Sequence, residues 1–121
     1  MNDSFKDQVE QICEVLYEKK AKDIVAINIS DKSIISDYFI ICSGRSNTQV
    51  KSLCDEVESK FSQELCVRRK EGYQQGRWIV VDFGDILLHI FHPEERAYYN
   101  IERLWADDAN YINYSEKKGG A

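Results

Sequence analysis

The chain has 121 residues, 43% of them hydrophobic and 31% charged, with 16 basic against 21 acidic residues and a formal net charge of −5. That is the size of one domain, long enough to hide roughly two-thirds of its unfolded surface and too rich in aromatic and β-branched residues for a disordered chain. The acidic balance argues against a module that grips phosphate backbones by charge alone, and it fits a basic protein partner better.

Phe5, Val9, Ile12 and Leu16 recur at helical spacing and predict a helix over 4–20, capped near Ser4. Ile24 to Ile29 is a short β-type run, and 31–33 is a polar loop. Tyr38 to Cys42 is apolar on both alternating faces, the pattern of a central strand covered on two sides. Ser43-Gly44-Arg45 breaks that strand, and Ser46-Asn47-Thr48-Gln49 then has the form of a capping box. Val50, Leu53, Cys54, Val57 and Phe61 form the stripe of a second helix running to about Glu64. Cys66 to Arg69 reads as a weak strand, and 71–76 as a loop bounded by two glycines.

Arg77 to Asp82 and Asp85 to Phe91 then predict a hairpin around Phe83-Gly84, where glycine supplies the positive φ of a tight turn. Ile86 to Phe91 is apolar on both faces apart from His89, so it is expected in the sheet interior. Pro93 opens a last helix, with Glu94 and Glu95 in its first turn. That helix carries Tyr98, Tyr99, Ile101 and Leu104 and ends near Trp105. Residues 113–121 are polar, contain two glycines, and are expected as a disordered tail. The domain is therefore assigned to residues 1–112. Its predicted class is α/β, a single domain with a mixed five-stranded sheet packed with helices.

Cys13, Cys42, Cys54 and Cys66 are never closer than 12 residues, so no C-x-x-C unit exists. Residues 1–20 are amphipathic and charged, without the apolar segment of a signal peptide. Free buried thiols in a reducing, cytoplasmic setting are the expectation. No apolar run approaches the roughly 18 residues of a membrane span.

Four constellations carry possible chemistry. His89-Ile90-Phe91-His92 could be a metal pair, but residues three apart on a strand point to opposite faces, so a shared ion is not expected. His89 is instead expected to find a hydrogen-bond partner within the sheet, and His92 to orient the turn into the last helix. Asp82 and Asp85 flank the hairpin turn. They are open to three readings: metal or acid–base chemistry, turn chemistry, or recognition of a basic partner. Ser43-Gly44-Arg45-Ser46 resembles the glycine-serine turn that opens nucleotidyltransferase domains. The following strand, Cys66 to Lys70, is basic and lacks the D-x-D that such enzymes use to hold two metals. Finally Trp78, Tyr98, Tyr99 and Trp105 are of the type that fills cores. Trp78, beside Arg77 and the polar 74–76 loop, also has the chemistry of an interface anchor.

Several segments, in order, resemble the ribosomal silencing factors of the Iojap-like family. They are Ser36 to Asn47; Glu71-Gly72 followed by Trp78 to Asp85; His89 to Glu94; and Tyr98 to Trp105. The resemblance spans residues 5 to 106. It implies an α/β domain related to nucleotidyltransferases without their active site, no enzyme activity, and no cofactor or metal. It also implies binding to the large ribosomal subunit through its protein L-fourteen. That binding blocks joining of the small subunit and represses translation under nutrient limitation. Homodimers occur in the family, and organellar relatives act in ribosome assembly. A direct sequence-specific grip on nucleic acid is not expected. The partner-binding residues expected from the grouping on the hairpin and following helix are Trp78, Asp82, Asp85 and Glu94, with Arg96 and Tyr98 near the rim. The alternatives left open are a nucleotide-binding or residual nucleotidyltransferase domain using Ser43 to Ser46, a ribosome assembly factor, and a purely structural homodimer whose aromatics pair with each other.

Overall fold

Two hydrophobic periodicities, one helical and one alternating, account for most of the architecture. The computed structural model describes residues 4–34 and 36–119; the side chains of Ser4 and Phe5 lie outside that description, and with them the predicted cap and the first rung of the stripe. In chain order the elements are α1 (Ser4–Glu18), β1 (Lys22–Asn28), β2 (Tyr38–Ser43), α2 (Asn47–Phe61), β3 (Arg69–Glu71), β4 (Trp78–Asp82) and β5 (Ile86–Phe91). They continue with α3 (Pro93–Tyr99), α4 (Glu102–Trp105), β6 (Tyr111–Asn113) and α5 (Tyr114–Lys117). The strands form one sheet in the order β3-β4-β5-β2-β1-β6. Only β2 and β5 run parallel, and the other neighbours are antiparallel.

The sheet has six strands rather than the expected five. The sixth, β6, pairs with β1 through Tyr111, Ile112 and Asn113, the last of which was expected to begin the disordered tail. Beyond it Tyr114 is buried and its hydroxyl donates to the Glu14 carboxylate, while the Ser115 hydroxyl accepts the amide of Ile24 at 2.9 Å. The tail therefore closes the β1 edge and docks on α1 as far as the described residues extend. Gly120 and Ala121 lie outside them.

Each strand splits its residues between two faces. One face presents Ile24, Ala26, Ile40, Ile79, Val81 and Leu88 to the stripes of α1 and α2, and this is the main core. The α2 stripe is the predicted one, with Val50, Leu53, Cys54, Val57 and Phe61 all buried. The Ser46 hydroxyl caps its first turn by accepting the Gln49 amide, while the Gln49 side chain accepts the amide of Arg45 rather than that of Ser46. The other face carries Val25, Ile27, Ile29, Phe39, Ile41 and Phe91, roofed by Trp78, Ile101 and Trp105. The hairpin turn is as expected, with Gly84 at φ +95°. Cys13, Cys42 and Cys54 are buried free thiols, but Cys66 is exposed, against the expectation for all four.

The predicted last helix is two. Asn100 takes the left-handed conformation (φ 44°, ψ 54°), and its amide closes α3 on the Arg96 carbonyl. The chain then turns back over the sheet as α4. Among the described residues no helix is long and apolar enough to cross a membrane.

Candidate functional site

Where β5 leaves the sheet, the chain builds an aromatic surface on the second face. Trp78 starts β4 directly opposite Phe91, so their rings stack with centroids 4.8 Å apart. Tyr99, delivered by α3, meets the indole at 4.8 Å, and Tyr98 stands edge-on to Tyr99 at 4.9 Å. The Trp78 Nε1–H donates to Nδ1 of His89 at 3.2 Å, which fixes the indole and gives His89 the in-sheet partner expected for it. Nε2 of His89 is buried without a partner among the described residues, and burial pushes its pKa down to about 4. His89 is therefore neutral, which leaves Nδ1 free to accept. Trp105 completes the roof edge-on to Phe39 at 5.4 Å.

Two charged clamps hold this surface. Arg77 pairs with Glu94 at 2.8 Å and Glu95 at 2.6 Å, tying the start of β4 to α3. The same guanidinium holds the Glu95 carboxyl below its ordinary range. Arg96 donates to both carboxylate oxygens of Glu102 at 3.0 Å and to the Ser43 hydroxyl at 3.0 Å. It thereby joins α3, α4 and the end of β2. His92 caps α3, its Nδ1 accepting the Glu94 amide at 3.2 Å, as expected from its place before Pro93. His89 and His92 thus use their ring nitrogens on separate partners. The ligand atoms of His92, Glu94 and Glu95 do lie close together, but Arg77 already supplies the positive charge between the two glutamates.

Trp78, Glu94, Arg96 and Tyr98 gather at this end of the sheet. Asp82 and Asp85 do not join them. Trp78 and Asp82 share a face of β4 but stand about 13 Å apart along it. Asp82 serves the turn, its carboxylate accepting the Gly84 amide at 2.7 Å. Asp85 is exposed at the hairpin tip, and its carbonyl accepts the amides of Asp37 and Tyr38. Arg96, expected at the rim, is instead committed to Glu102 and Ser43 and only 12% exposed, so it pins the surface rather than presenting itself. Tyr98 is 81% exposed.

Leu104, 74% exposed on α4, belongs to this surface and was not among the expected residues. A single helix through Trp105 would have aligned it with Tyr98, Tyr99 and Ile101 as one stripe. The break at Asn100 separates Leu104, facing out, from Ile101 and Trp105, facing the sheet. The asparagine itself was the available signal, since it is enriched at left-handed helix ends.

The family model described as ribosomal silencing factor during starvation matches residues 2–120. A protein of Halalkalibacterium halodurans named ribosomal silencing factor RsfS is 47% identical over 92 residues, covering 74% of this chain and 78% of that protein. One of the same name from Bacillus subtilis is 41% identical over 91 residues, covering 74% of this chain and 77% of its own length. A crystal structure of a Chromobacterium violaceum protein superposes with a TM-score of 0.78 at 31% identity, over 86% of this chain and 90% of that one.

Proposed function

The chain belongs to the family of ribosomal silencing factors, and from that premise we propose that it binds the large ribosomal subunit through protein L-fourteen, using the aromatic surface at the Trp78 end of the sheet. Bound there, it blocks joining of the small subunit and represses translation under nutrient limitation. The role is that of a binding protein, not an enzyme.

The observation that carries this reading is the exposure of Tyr98, Tyr99 and Leu104 beside the half-buried Trp78. Large apolar and aromatic side chains left open together on a rigid base are what a protein partner covers, and aromatics dominate such contacts. Glu94 and, further along the hairpin, Asp82 and Asp85 give the surrounding surface acidic character. That suits a basic ribosomal protein and would speed docking. A standard interface of about 1,200–2,000 Å² would extend from Trp78 to the hairpin tip.

Sucrose-gradient sedimentation with purified subunits tests the proposal. The expected result is comigration with the large subunit and loss of joined ribosomes. Comigration should be lost in a Trp78→Ala, Asp82→Lys variant and in a Tyr98→Ala, Leu104→Glu variant, the second of which changes only exposed positions. Normal binding by both variants would move the interface elsewhere, and unchanged gradients with the wild-type protein would remove the function itself.

A further inference from the structure

The parallel pair at the centre of the sheet creates a second feature, which reaches the Arg96–Glu102–Ser43 clamp but uses neither of the exposed side chains of Tyr98 and Leu104. β2 leads into α2, which packs on the main core face, whereas β5 leads into α3, on the opposite side. Adjacent parallel strands whose helices leave to opposite sides open a crevice at their carboxyl ends, and open α/β sheets bind ligands there. In this chain that place lies between the Ser43-Gly44-Arg45-Ser46 turn and the His92-Pro93 turn. The turns are held together by the Gly44 amide donating to the Phe91 carbonyl at 2.9 Å.

Two adjoining depressions lie at this end of the sheet and share Lys22 and Asp23 as a common wall; the second reaches both turns through Ser43 and Pro93, and the first reaches only Arg45, between the end of α1, the start of β1 and α5. The first, about 220 Å³, is lined by Tyr17, Lys20, Arg45 and Ser115 besides the shared pair. The second, about 490 Å³, is lined by Ser43, Pro93, Arg96, Asn100 and Glu102. Together they reach the size of a small-ligand site. The first depression gathers three cations, Lys20, Lys22 and Arg45, against one carboxylate, Asp23. None of the three cations has an ion-pair partner among the described residues, as is also true of Lys51, Lys60, Arg68 and Arg103, but here three such cations line one depression. In the second depression Arg96 and Glu102 neutralise each other and leave a polar, uncharged wall.

The backbone around the crevice is also unusual. Lys20, Asp23 and Asn100, all three in its lining, are the described non-glycine residues with positive φ. Lys20 and Asn100 follow helix ends, where that conformation is ordinary. Asp23 sits in the irregularity of β1 between Lys22 and Val25, which carries the Lys22 side chain to the end of β2, opposite Ser43. The Gln49 side chain ties the carbonyls of Lys19 and Lys20 to the first turn of α2, so Lys20 and Arg45 are held on the same rim. The amides of Arg45 and Gln49 are already used within the cap, so the side-chain cations must supply the charge.

We propose that this crevice binds a nucleoside polyphosphate, with its phosphates among Lys20, Lys22 and Arg45 and its nucleoside against the polar Arg96–Glu102 wall. Three unpaired cations on a concave rim match a compact polyanion. Glu102 is held by Arg96, which leaves Asp23 as the one carboxylate not already paired there. Binding, not group transfer, is what this donor set fits.

Titration calorimetry of the whole chain with ATP, GTP, sodium tripolyphosphate, adenosine and a short single-stranded RNA, each with and without Mg²⁺, tests this. Saturable binding of ATP or GTP, displaced by tripolyphosphate and absent for adenosine, is expected. A Lys22→Glu, Arg45→Glu variant should lose about tenfold or more in affinity at an unchanged melting temperature. The Tyr98→Ala, Leu104→Glu variant should bind the nucleotide normally, which separates this site from subunit docking. No saturable binding at millimolar nucleotide, equal affinity in the charge-reversed variant, or binding of the RNA alone would each overturn the proposal.

Discussion

One face of the sheet is sealed by the α1 and α2 stripes, which interlock with alternate residues of four strands and leave their apolar side chains buried. The other face holds a smaller cluster under a roof of half-buried rings, Trp78 and Trp105, and its outer layer is open at Tyr98 and Leu104. Both faces are apolar at the level of the strands. They differ in what the chain lays over them: two fifteen-residue helices on one side, and on the other two short helices of seven and four residues. The first face is closed by the chain's own helices, and the second is the one we propose a partner finishes covering.

That contrast predicts unequal responses to substitution. The largest loss should come from the sealed face. Leu53→Ala, in a fully packed stripe, should cost about 2–5 kcal/mol in denaturant unfolding, while the fraction still folded binds the large subunit normally. A cost under about 1 kcal/mol would show that the α2 face is not the dominant core.

The next effect tests the base of the open face through pH. His89 is neutral in the fold with a pKa of about 4, against an ordinary value of 6.5. As pH falls below 6.5 the unfolded chain takes up a proton that the folded chain refuses until about 4. Stability is therefore lost through that window, and in full the loss is on the order of 3 kcal/mol. Protonation would also turn Nδ1 from acceptor to donor and break the bond from the Trp78 indole. Unfolding free energies of the wild type and His89→Phe at pH 7 and pH 4.5 check this, and the wild type should lose more. Parallel pH curves would mean that the His89 environment is wetter than its burial implies.

The smallest effect on stability is expected at the outer layer. Tyr98→Ala with Leu104→Ala should shift unfolding by no more than about 0.5 kcal/mol, because both side chains stand largely in solvent. Affinity for the large subunit, measured by sedimentation, should nevertheless fall about tenfold or more. The reverse outcome, a stability loss with intact binding, would assign these side chains to the fold rather than to a partner.

Much of this was legible along the chain because it depends on neighbours a few residues apart. The α2 stripe, the Ser46 cap, the Gly84 turn, the His92 cap and the wholly buried β2 all follow from spacing and local hydrogen bonding. The segments resembling the ribosomal silencing factors belong to the same local register. Alternation also places Trp78 and Asp82 on one face of β4. It says nothing of the 13 Å or so between them, nor of the clamp that withdraws Arg96 from the surface.

The rest was decided by the tertiary structure. β6 is three residues with no pattern of its own, and it exists because the free edge of β1 offers it a partner. Tyr114 looks like part of a polar tail until α1 supplies Glu14 and a surface to lie on. The parallel pairing of β2 and β5, and with it the crevice between their turns, joins residues nearly fifty positions apart. Periodicity in a sequence sets which side chains share a face. Which face is then covered, and which rings stay in water, depends on the free energy of packing distant elements together, and that is a property of the whole fold.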